Sequence, residues 1–207
     1  MQDNESQWLI QAQKGDSQAF TYLVETYQRP VYNLCYRMLM NAEDAEDASQ
    51  ETFLRVYKSL RRYDNKRAFS TWLLSIAAHY CIDQIRKRRY KVVSVEDLPV
   101  ADLPDLSPGV ESKISREEEQ RKIRAVLDIL DPVDRAAVVM YYWYDFSYKE
   151  ICQALSLTQS AVKSRLHRAR RAMAQEWLKK QAEQIPGSSQ MVQTRCKETL
   201  VIERVMP

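Results

Sequence analysis

Side chains that can bind nucleic acid lie together on one face of a predicted helix near the C-terminal end of the chain. The helix starts near Thr158, and its apolar residues recur at helical spacing from Val162 to Trp177. The opposite face carries Gln159, Ser160, Lys163, Ser164, His167 and Arg171. Amides and hydroxyls near the helix start can pair with base edges, and cations further along can bind phosphates. An amphipathic helix with a solvated basic face fits the same spacing, so both interpretations stay open at this point.

The residues before this basic helix predict the elements that would position its exposed face. Ser147 and Glu150 have the spacing of a capping box, in which the two side chains satisfy free amides at a helix start. The residues from Leu155 to Leu157 then separate this first helix from Thr158, a second N-cap candidate. Two helices joined by a tight turn, the second of them basic, predict a helix-turn-helix.

A helix in the N-terminal half carries an unusual acidic face. Asn41 can cap this helix, and its predicted core stripe consists of Phe53, Val56, Tyr57 and Leu60. The outer face carries the acidic strip, which consists of Glu43, Glu46, Asp47, Gln50 and Leu54. Acidic residues in a first turn stabilise the helix dipole, which gives the strip a purely structural interpretation. The alternative is a docking surface for a basic partner helix, with Leu54 as its apolar anchor.

The next predicted helix begins with an apolar face led by a tryptophan and ends in a cluster of positive charges. Ser70 is expected to cap it, and its polar ridge consists of Ser75, His79, Asp83, Arg86 and Tyr90. The cluster at its end consists of Arg86, Lys87, Arg88, Arg89 and Lys91, more cations than a helix dipole explains. Such charge beside Tyr63, Phe69, Trp72 and Tyr90 is typical of a surface for single-stranded nucleic acid. Phe69 and Trp72 also fit a core position, and their spacing favours the core.

Composition and breaks in the pattern predict the fold class and its division into domains. The 207 residues are 45% hydrophobic, which is ordinary for a globular protein, and the net charge of +3 is too small to identify a nucleic-acid partner. Only three glycines occur, and helical spacing runs almost throughout, so we expect an all-α fold. Prolines and Gly109 cluster among acidic residues between 94 and 111. We therefore expect two small helical domains, residues 1–92 and 115–182, joined by a flexible acidic linker over 93–114 and followed by an extension of unknown role over 183–207.

No residue pattern in the sequence indicates an enzyme, a metal site or a cofactor. The cysteines at 35, 81, 152 and 196 form no CxxC pair, and only two histidines occur. Isolated thiols fit a reducing cytoplasm. The sequence shows no glycine-rich phosphate loop and no basic segment followed by an apolar core at its start, and no apolar run reaches the roughly 20 residues of a membrane span. We therefore expect a soluble, cytoplasmic protein that is not an enzyme.

Three segments of the chain occur in an informative order. They are DAEDASQETFLRVYKSL at 44–60, FSTWLLSIAAHYCIDQIRKRRY at 69–90, and LDPVDRAAVVMYYWYDFSYKEICQALSLTQSAVKSRLHRAR at 130–170. In this order they resemble a bacterial RNA polymerase sigma factor of the extracytoplasmic-function type. The resemblance implies a protein that binds core RNA polymerase at the β′ clamp and the β flap, binds duplex and single-stranded promoter DNA, and is held by an anti-sigma factor without inserting into a membrane. The runner-up is a free-standing helix-turn-helix regulator, which would leave the acidic strip and the basic helix without a joint purpose.

The resemblance also gives individual residues candidate roles. The helix with the acidic strip resembles the one that docks on the polymerase, which implicates Asp44, Asp47, Gln50, Glu51 and Leu54. The next loop and helix resemble the part that opens the minus-10 element and captures one strand, which implicates Tyr63, Asn65, Lys66, Phe69, Ser70, Trp72, Ser75, His79, Asp83, Arg86 and Arg89. The helix-turn-helix resembles the reader of the minus-35 element, which implicates Gln159, Ser160, Lys163, Ser164, Arg165, His167, Arg168 and Arg171. Arg165 and Arg168 lie at the flank of the exposed face, where we expect phosphate contacts.

Two residues depart from the pattern of the family. His79 stands where these proteins often present asparagine, so the base preference at that position need not follow the family. Ser156 occupies a turn position where glycine is common, and a serine there must adopt a geometry that favours glycine.

The resemblance places the acidic linker in a basic channel of the polymerase, whereas its composition alone fits a solvated tether equally well.

Overall fold

The described part of the chain consists of helices joined by short turns. The computed structural model describes residues 2–64, 67–94 and 121–184, and no strand occurs within these ranges. The helices are α1 (Gln2–Gln13), α2 (Ser17–Leu39), α3 (Ala42–Ser59), a short 3-10 helix (Leu60–Arg62), α4 (Phe69–Ser94), α5 (121–128), α6 (Pro132–Trp143), α7 (Tyr148–Leu155) and α8 (Gln159–Gln184). The predicted all-α class is confirmed. Asn65 and Lys66, the linker from residue 95 onward and the extension from residue 185 onward lie outside the described residues.

Side-chain caps set the start of two N-terminal helices. Asp16 accepts hydrogen bonds from two amides in the first turn of α2, at 2.8 and 3.1 Å. Asn41 accepts from the amide of Asp44 at 2.9 Å and starts α3, as predicted. Such caps satisfy amides that have no partner inside the helix. The prediction that Ser70 caps α4 is wrong, because α4 already begins at Phe69 and Ser70 lies within its first turn.

Apolar side chains from all the helices meet in one continuous core. Leu23, Leu34 and Leu73 belong to its N-terminal part, and Ile151 and Leu166 belong to its C-terminal part. Each of these side chains is at most 1% exposed. Because complete burial of one such side chain stabilises the fold by about 2 kcal/mol, this core fixes the positions of the helices that carry the polar surfaces.

The core stripe predicted for α3 is only partly correct. Ala45, Ala48 and Val56 are completely buried, whereas Tyr57 is 57% exposed. Tyr57 lies about 100° round the helix from Val56, because an α-helix has about 3.6 residues per turn. At that angle its ring lies at the rim of the core, where it makes an edge contact with the ring of Phe20 at a centroid distance of 5.0 Å. The prediction of Tyr57 as a core residue is therefore wrong.

The helices before residue 95 pack against those after residue 120. We call α1–α4 the N-terminal domain and α5–α8 the C-terminal domain, and their contact the domain interface. In this interface α6 lies against α2 and α4, and α7 lies against α4. The Arg135 side chain of α6 is 3% exposed and donates to the carbonyl of Met38 in α2 at 2.6 Å. The sequence predicts the two helical domains but not this contact between them.

Candidate nucleic-acid interface

Helices α7 and α8 form the predicted helix-turn-helix. The Ser147 hydroxyl accepts from the amide of Glu150 at 3.3 Å, and the Glu150 carboxylate accepts from the amide of Ser147 at 2.9 Å, which confirms the capping box. Ser156 ends α7 in the left-handed conformation, with φ at 54° and ψ at 45°. Thr158 then accepts from the amide of Ala161 at 3.2 Å, as expected of an N-cap. These local hydrogen bonds set the direction in which α8 leaves the turn.

The face of α8 that the sequence predicts for DNA contact is open to solvent. Val162, Leu166 and Met173 are buried on the opposite side of the helix. The exposed set, which we call the reading face, consists of Gln159, Ser160, Lys163, Ser164, His167, Arg168 and Arg171. Their amide, hydroxyl, imidazole and cationic groups are therefore accessible to the base edges and phosphates of a DNA duplex.

Arg165 is held within the C-terminal domain. Its Nη1 donates to Oδ1 of Asp134 at 2.5 Å, and Asp134 on α6 is only 8% exposed. Arg168 is more exposed, and its Nη2 lies 3.8 Å from the other carboxylate oxygen of Asp134. The ion pair between Arg165 and Asp134 links α8 to α6. Because this pair is partly buried, salt screens it less than it would screen an exposed pair. A phosphate contact by Arg165 would use its remaining donors.

The acidic strip on α3 is exposed along its length. The accessible residues are Glu43, Glu46, Asp47 and Gln50, and Leu54 at the end of the strip is 53% exposed. Of the other two docking candidates, Asp44 forms an ion pair with Arg88 of α4, and Glu51 forms one with Arg55 at 2.8 Å. From the sequence, Arg88 belongs to the basic cluster at the end of α4, and its ion pair with Asp44 of α3 is not predicted. The strip combines charge with an apolar side chain, as a protein-binding surface does.

Four aromatic rings at the start of α4 pack on one another. The ring centroids of Tyr63 and Trp72 are 4.8 Å apart, and Phe69 lies 5.6 Å from Tyr63 and 5.3 Å from Tyr27. Tyr63, Phe69 and Trp72 are at most 8% exposed, and burial raises the pKa of Tyr63. The preference for a core position of Phe69 and Trp72 is confirmed, and Tyr63 shares it. Contact of these three rings with DNA stays a prediction.

The polar ridge of α4 is only partly open. Its exposed residues are His79, Asp83 and Arg86, followed by Arg89, whereas Ser75 is only 6% exposed. The Ser75 hydroxyl donates to the carbonyl of Trp72 at 2.6 Å, so this residue does not lie on the open surface that the sequence predicts. Nδ1 of His79 lies 2.7 Å from the Ser75 carbonyl. Because a carbonyl can only accept, we assign the proton of the neutral ring to Nδ1, which leaves Nε2 as an acceptor.

The remaining ligand-binding chemistry is sparse in the described residues. Over these ranges no group of three or more His, Cys, Asp or Glu side chains could hold a metal ion. None of the helices in the same part of the chain is long and apolar enough to cross a membrane.

Cys35 and Cys81 are buried, and a hydrogen bond with Cys35, together with burial, raises the pKa of the Cys81 thiol. A thiol with a raised pKa is a poor nucleophile, so this pair belongs to the core.

Known proteins match both halves of the chain. Residues 23–90 match the family model for Sigma-70 region 2, and residues 120–173 match that for Sigma-70, region 4. The ECF RNA polymerase sigma factor SigW of Bacillus subtilis (strain 168) is 36% identical over 179 residues, which cover 80% of this chain and 92% of SigW.

Two solved structures share the fold. One is a chain in the structure of CnrH in complex with the cytosolic domain of CnrY, with a TM-score of 0.63, 23% identity, and 83% of this chain and 96% of that chain covered. The other comes from the complex of the sigma factor RpoE with the anti-sigma factor NepR from Bartonella quintana, with a TM-score of 0.59, 21% identity, and 77% and 96% of the two chains covered.

Proposed function

This chain belongs to the extracytoplasmic-function sigma factors of the sigma-70 family, and we propose that it divides their work among three separate surfaces. As a sigma factor it binds core RNA polymerase and promoter DNA and directs promoter-specific initiation of transcription. A free-standing helix-turn-helix regulator is not favoured, because the match to region 2 covers most of the N-terminal domain. We further propose that the chain has no catalytic activity of its own and acts in the cytoplasm.

The exposed acidic strip on α3 is the observation that carries this division of labour. A protein that only bound DNA would gain nothing from a row of carboxylates, because these repel phosphates. A basic helix of the β′ clamp fits the surface, since its cations can face the carboxylates while an apolar side chain meets Leu54. We therefore assign core-polymerase binding to Asp44, Asp47, Gln50, Glu51 and Leu54, within a domain that spans residues 1–92.

The exposed side of α4, from His79 onward, is proposed to hold the opened strand of the minus-10 element. A flipped base exchanges stacking in the duplex for contacts in a protein pocket, while cations hold the displaced strand. His79, Asp83, Arg86 and Arg89 are exposed there and are the strongest candidates. The other candidates near the start of the helix are Tyr63, Asn65, Lys66, Phe69, Ser70, Trp72 and Ser75. Among these, the buried rings of Tyr63, Phe69 and Trp72 are proposed to support the loop before α4.

The reading face is proposed to enter the major groove of the minus-35 element. Gln159 and Ser160 lie at the start of α8, where a recognition helix approaches base edges, whereas Lys163 and Arg171 can also reach phosphates. Arg165 and Arg168 are proposed to contact phosphates at the edge of the site, with Arg165 also fixing α8 on α6 through Asp134. We assign this reading, together with contact to the β flap, to a domain that spans residues 115–182.

The same function leads to a proposal for the linker and to one further partner. We propose that the acidic linker, residues 93–114, passes through a basic channel of the polymerase. We assign no role to residues 183–207. RpoE was solved with the anti-sigma factor NepR. By analogy we propose that an anti-sigma factor also holds the present chain inactive until a signal releases it.

Reconstituted transcription tests the proposal. The full chain is mixed with core RNA polymerase and a fragment library of the matching genome, and the transcripts are sequenced. We expect a defined set of start sites that core polymerase alone does not give, preceded by two shared sequence elements. A chain that does not bind core polymerase, or that gives no defined start sites, contradicts the proposal.

A further inference from the structure

A side chain of α1 holds the main chain at the end of the 3-10 helix. The Nε2 amide of Gln13 donates to the carbonyl of Leu60 at 3.2 Å and to that of Tyr63 at 3.0 Å, although these residues are 47 and 50 positions away in the sequence. An amide nitrogen carries two hydrogens, so Gln13 uses both of them on the main chain of this segment. The two bonds therefore fix the place where the chain leaves the 3-10 helix.

The turn between α1 and α2 lies against the same segment. Gly15 in this turn has φ at 99°, a conformation that glycine adopts without strain. A Cβ placed on Gly15 would lie 3.8 Å from Nη2 of Arg61 in the 3-10 helix. The amide of Gly15 donates to the carbonyl of Ala12 at 3.0 Å, which ties the turn to the end of α1. This packing keeps Gln13 within reach of the two carbonyls.

Tyr63 transmits the restraint from α1 to the start of α4. Its ring lies 5.6 Å from the ring of Phe69 and 4.8 Å from that of Trp72, measured between centroids. Its hydroxyl donates to the carbonyl of Arg67 at 2.6 Å. One side chain thus joins the two described ends of the loop before α4. When Gln13 fixes the main chain of Tyr63, it also fixes where the chain enters α4.

A second contact of α1 supports the start of α4 from the other side. The ring of Tyr27 on α2 packs on Phe69 at a centroid distance of 5.3 Å. Burial and the nearby carboxylate of Glu5 on α1 raise the pKa of Tyr27. Glu5 and Gln13 lie about 12 Å apart along α1. Helix α1 therefore supports both ends of the loop, although the match to Sigma-70 region 2 begins only at residue 23.

We propose that Gln13 is a positioning residue for capture of the opened minus-10 strand. Its two bonds hold Tyr63 and, through the Tyr63 ring, the start of α4 in the arrangement that receives a base. A receiving surface that is ordered in advance binds more tightly, because binding then costs less conformational entropy. This inference rests on the proposed role of α4 and the loop before it in strand capture.

The variant Gln13→Met tests the inference, because it removes both donors and keeps the length of the side chain. The matched control is Gln11→Met, the same change at an exposed position of α1. Each full chain is assembled with core RNA polymerase. The probes are labelled single strands with the minus-10 sequence recovered from the transcription experiment, one natural and one with the most strongly selected base replaced. Fluorescence anisotropy gives the affinity for each strand.

We expect Gln13→Met to bind the natural strand about tenfold more weakly. Two hydrogen bonds no longer favour the receiving arrangement, and apparent affinity scales with the fraction of chains that adopt it. The strand with the replaced base is held by the cations of α4 alone, so its affinity should not change. The preference for the natural base should therefore also fall about tenfold. Core binding by Gln13→Met, and all properties of Gln11→Met, should match the natural chain.

A second variant covers a loss of folding. If Gln13→Met loses helix content, Gln13→Asn is used, because its shorter side chain cannot reach both carbonyls, and the expected fall in base preference is about threefold. An unchanged base preference in a variant that transcribes with core polymerase overturns the inference, since Gln13 would then only cap the 3-10 helix. A natural chain that selects no start sites with core polymerase overturns the proposed function instead.

Discussion

Replacing Ser156 with glycine should stabilise the C-terminal domain. Ser156 lies in the left-handed region, with φ at 54°, at the end of α7. A residue with a side chain pays about 1 kcal/mol or more for this conformation, whereas glycine does not. Glycine also loses more backbone entropy on folding, by about 0.5 kcal/mol. Because the Ser156 side chain is exposed, its removal leaves no cavity, and we expect a net gain of about 0.5 kcal/mol or slightly more in the free energy of unfolding.

Chemical and thermal denaturation can measure this gain. For a chain of this length, a gain of this size raises the melting temperature by about 2 °C and leaves the denaturant m-value unchanged. The control is Ser164→Gly, the same chemical change within the regular helix α8, which should lower the free energy of unfolding by about 0.5 kcal/mol. If Ser156→Gly destabilises the protein as Ser164→Gly does, the left-handed turn is not under strain and the reasoning fails.

Three further outcomes follow from the surfaces and the interface. Asp47→Lys should abolish binding to core polymerase with unchanged helix content, whereas the exposed Glu25→Lys on α2 should bind normally; co-elution with core polymerase decides between them. Lys163→Ala with Arg171→Ala should weaken promoter binding and make the negative slope of log affinity against log salt less steep by about 1.8 if both residues contact phosphates, without affecting core binding. Burial raises the pKa of Tyr144 above its ordinary value of 10.0, so the unfolded chain loses this proton at a lower pH than the folded chain. The free energy of unfolding should therefore fall as the pH rises beyond about 10, and Tyr144→Phe should reduce that fall in a series of denaturation curves.

Features that depend on a few neighbouring residues could be predicted from the sequence. The capping box of Ser147 and Glu150 and the cap at Asn41 join groups three residues apart, and both occur as predicted. The same local reasoning was wrong for Ser70. Phe69 packs against Tyr27 and Trp72, and the helix that carries it starts two residues earlier than a cap at Ser70 would set.

Contacts between distant segments could not be predicted in this way. The bond from Arg135 to Met38 joins residues 97 positions apart, and that from Tyr144 to Pro30 joins residues 114 positions apart. Neither has a periodic or spacing signal, because arginine and tyrosine each combine an apolar body with a polar tip, and the sequence alone does not show which of them are buried. Tyr57 illustrates the same limit, since helical spacing alone does not distinguish the centre of an apolar face from its rim.

The hydrogen bond between His79 and the carbonyl of Ser75 limits which bases this ring can select. With Nδ1 donating to the helix, the neutral ring offers only an acceptor at Nε2. Such a nitrogen can accept a hydrogen bond from a base N–H but cannot donate one to a base carbonyl, whereas an asparagine side chain can both donate and accept. On the proposed contact of His79 with the opened strand, the base preference at that position should therefore differ from that of family members with asparagine there.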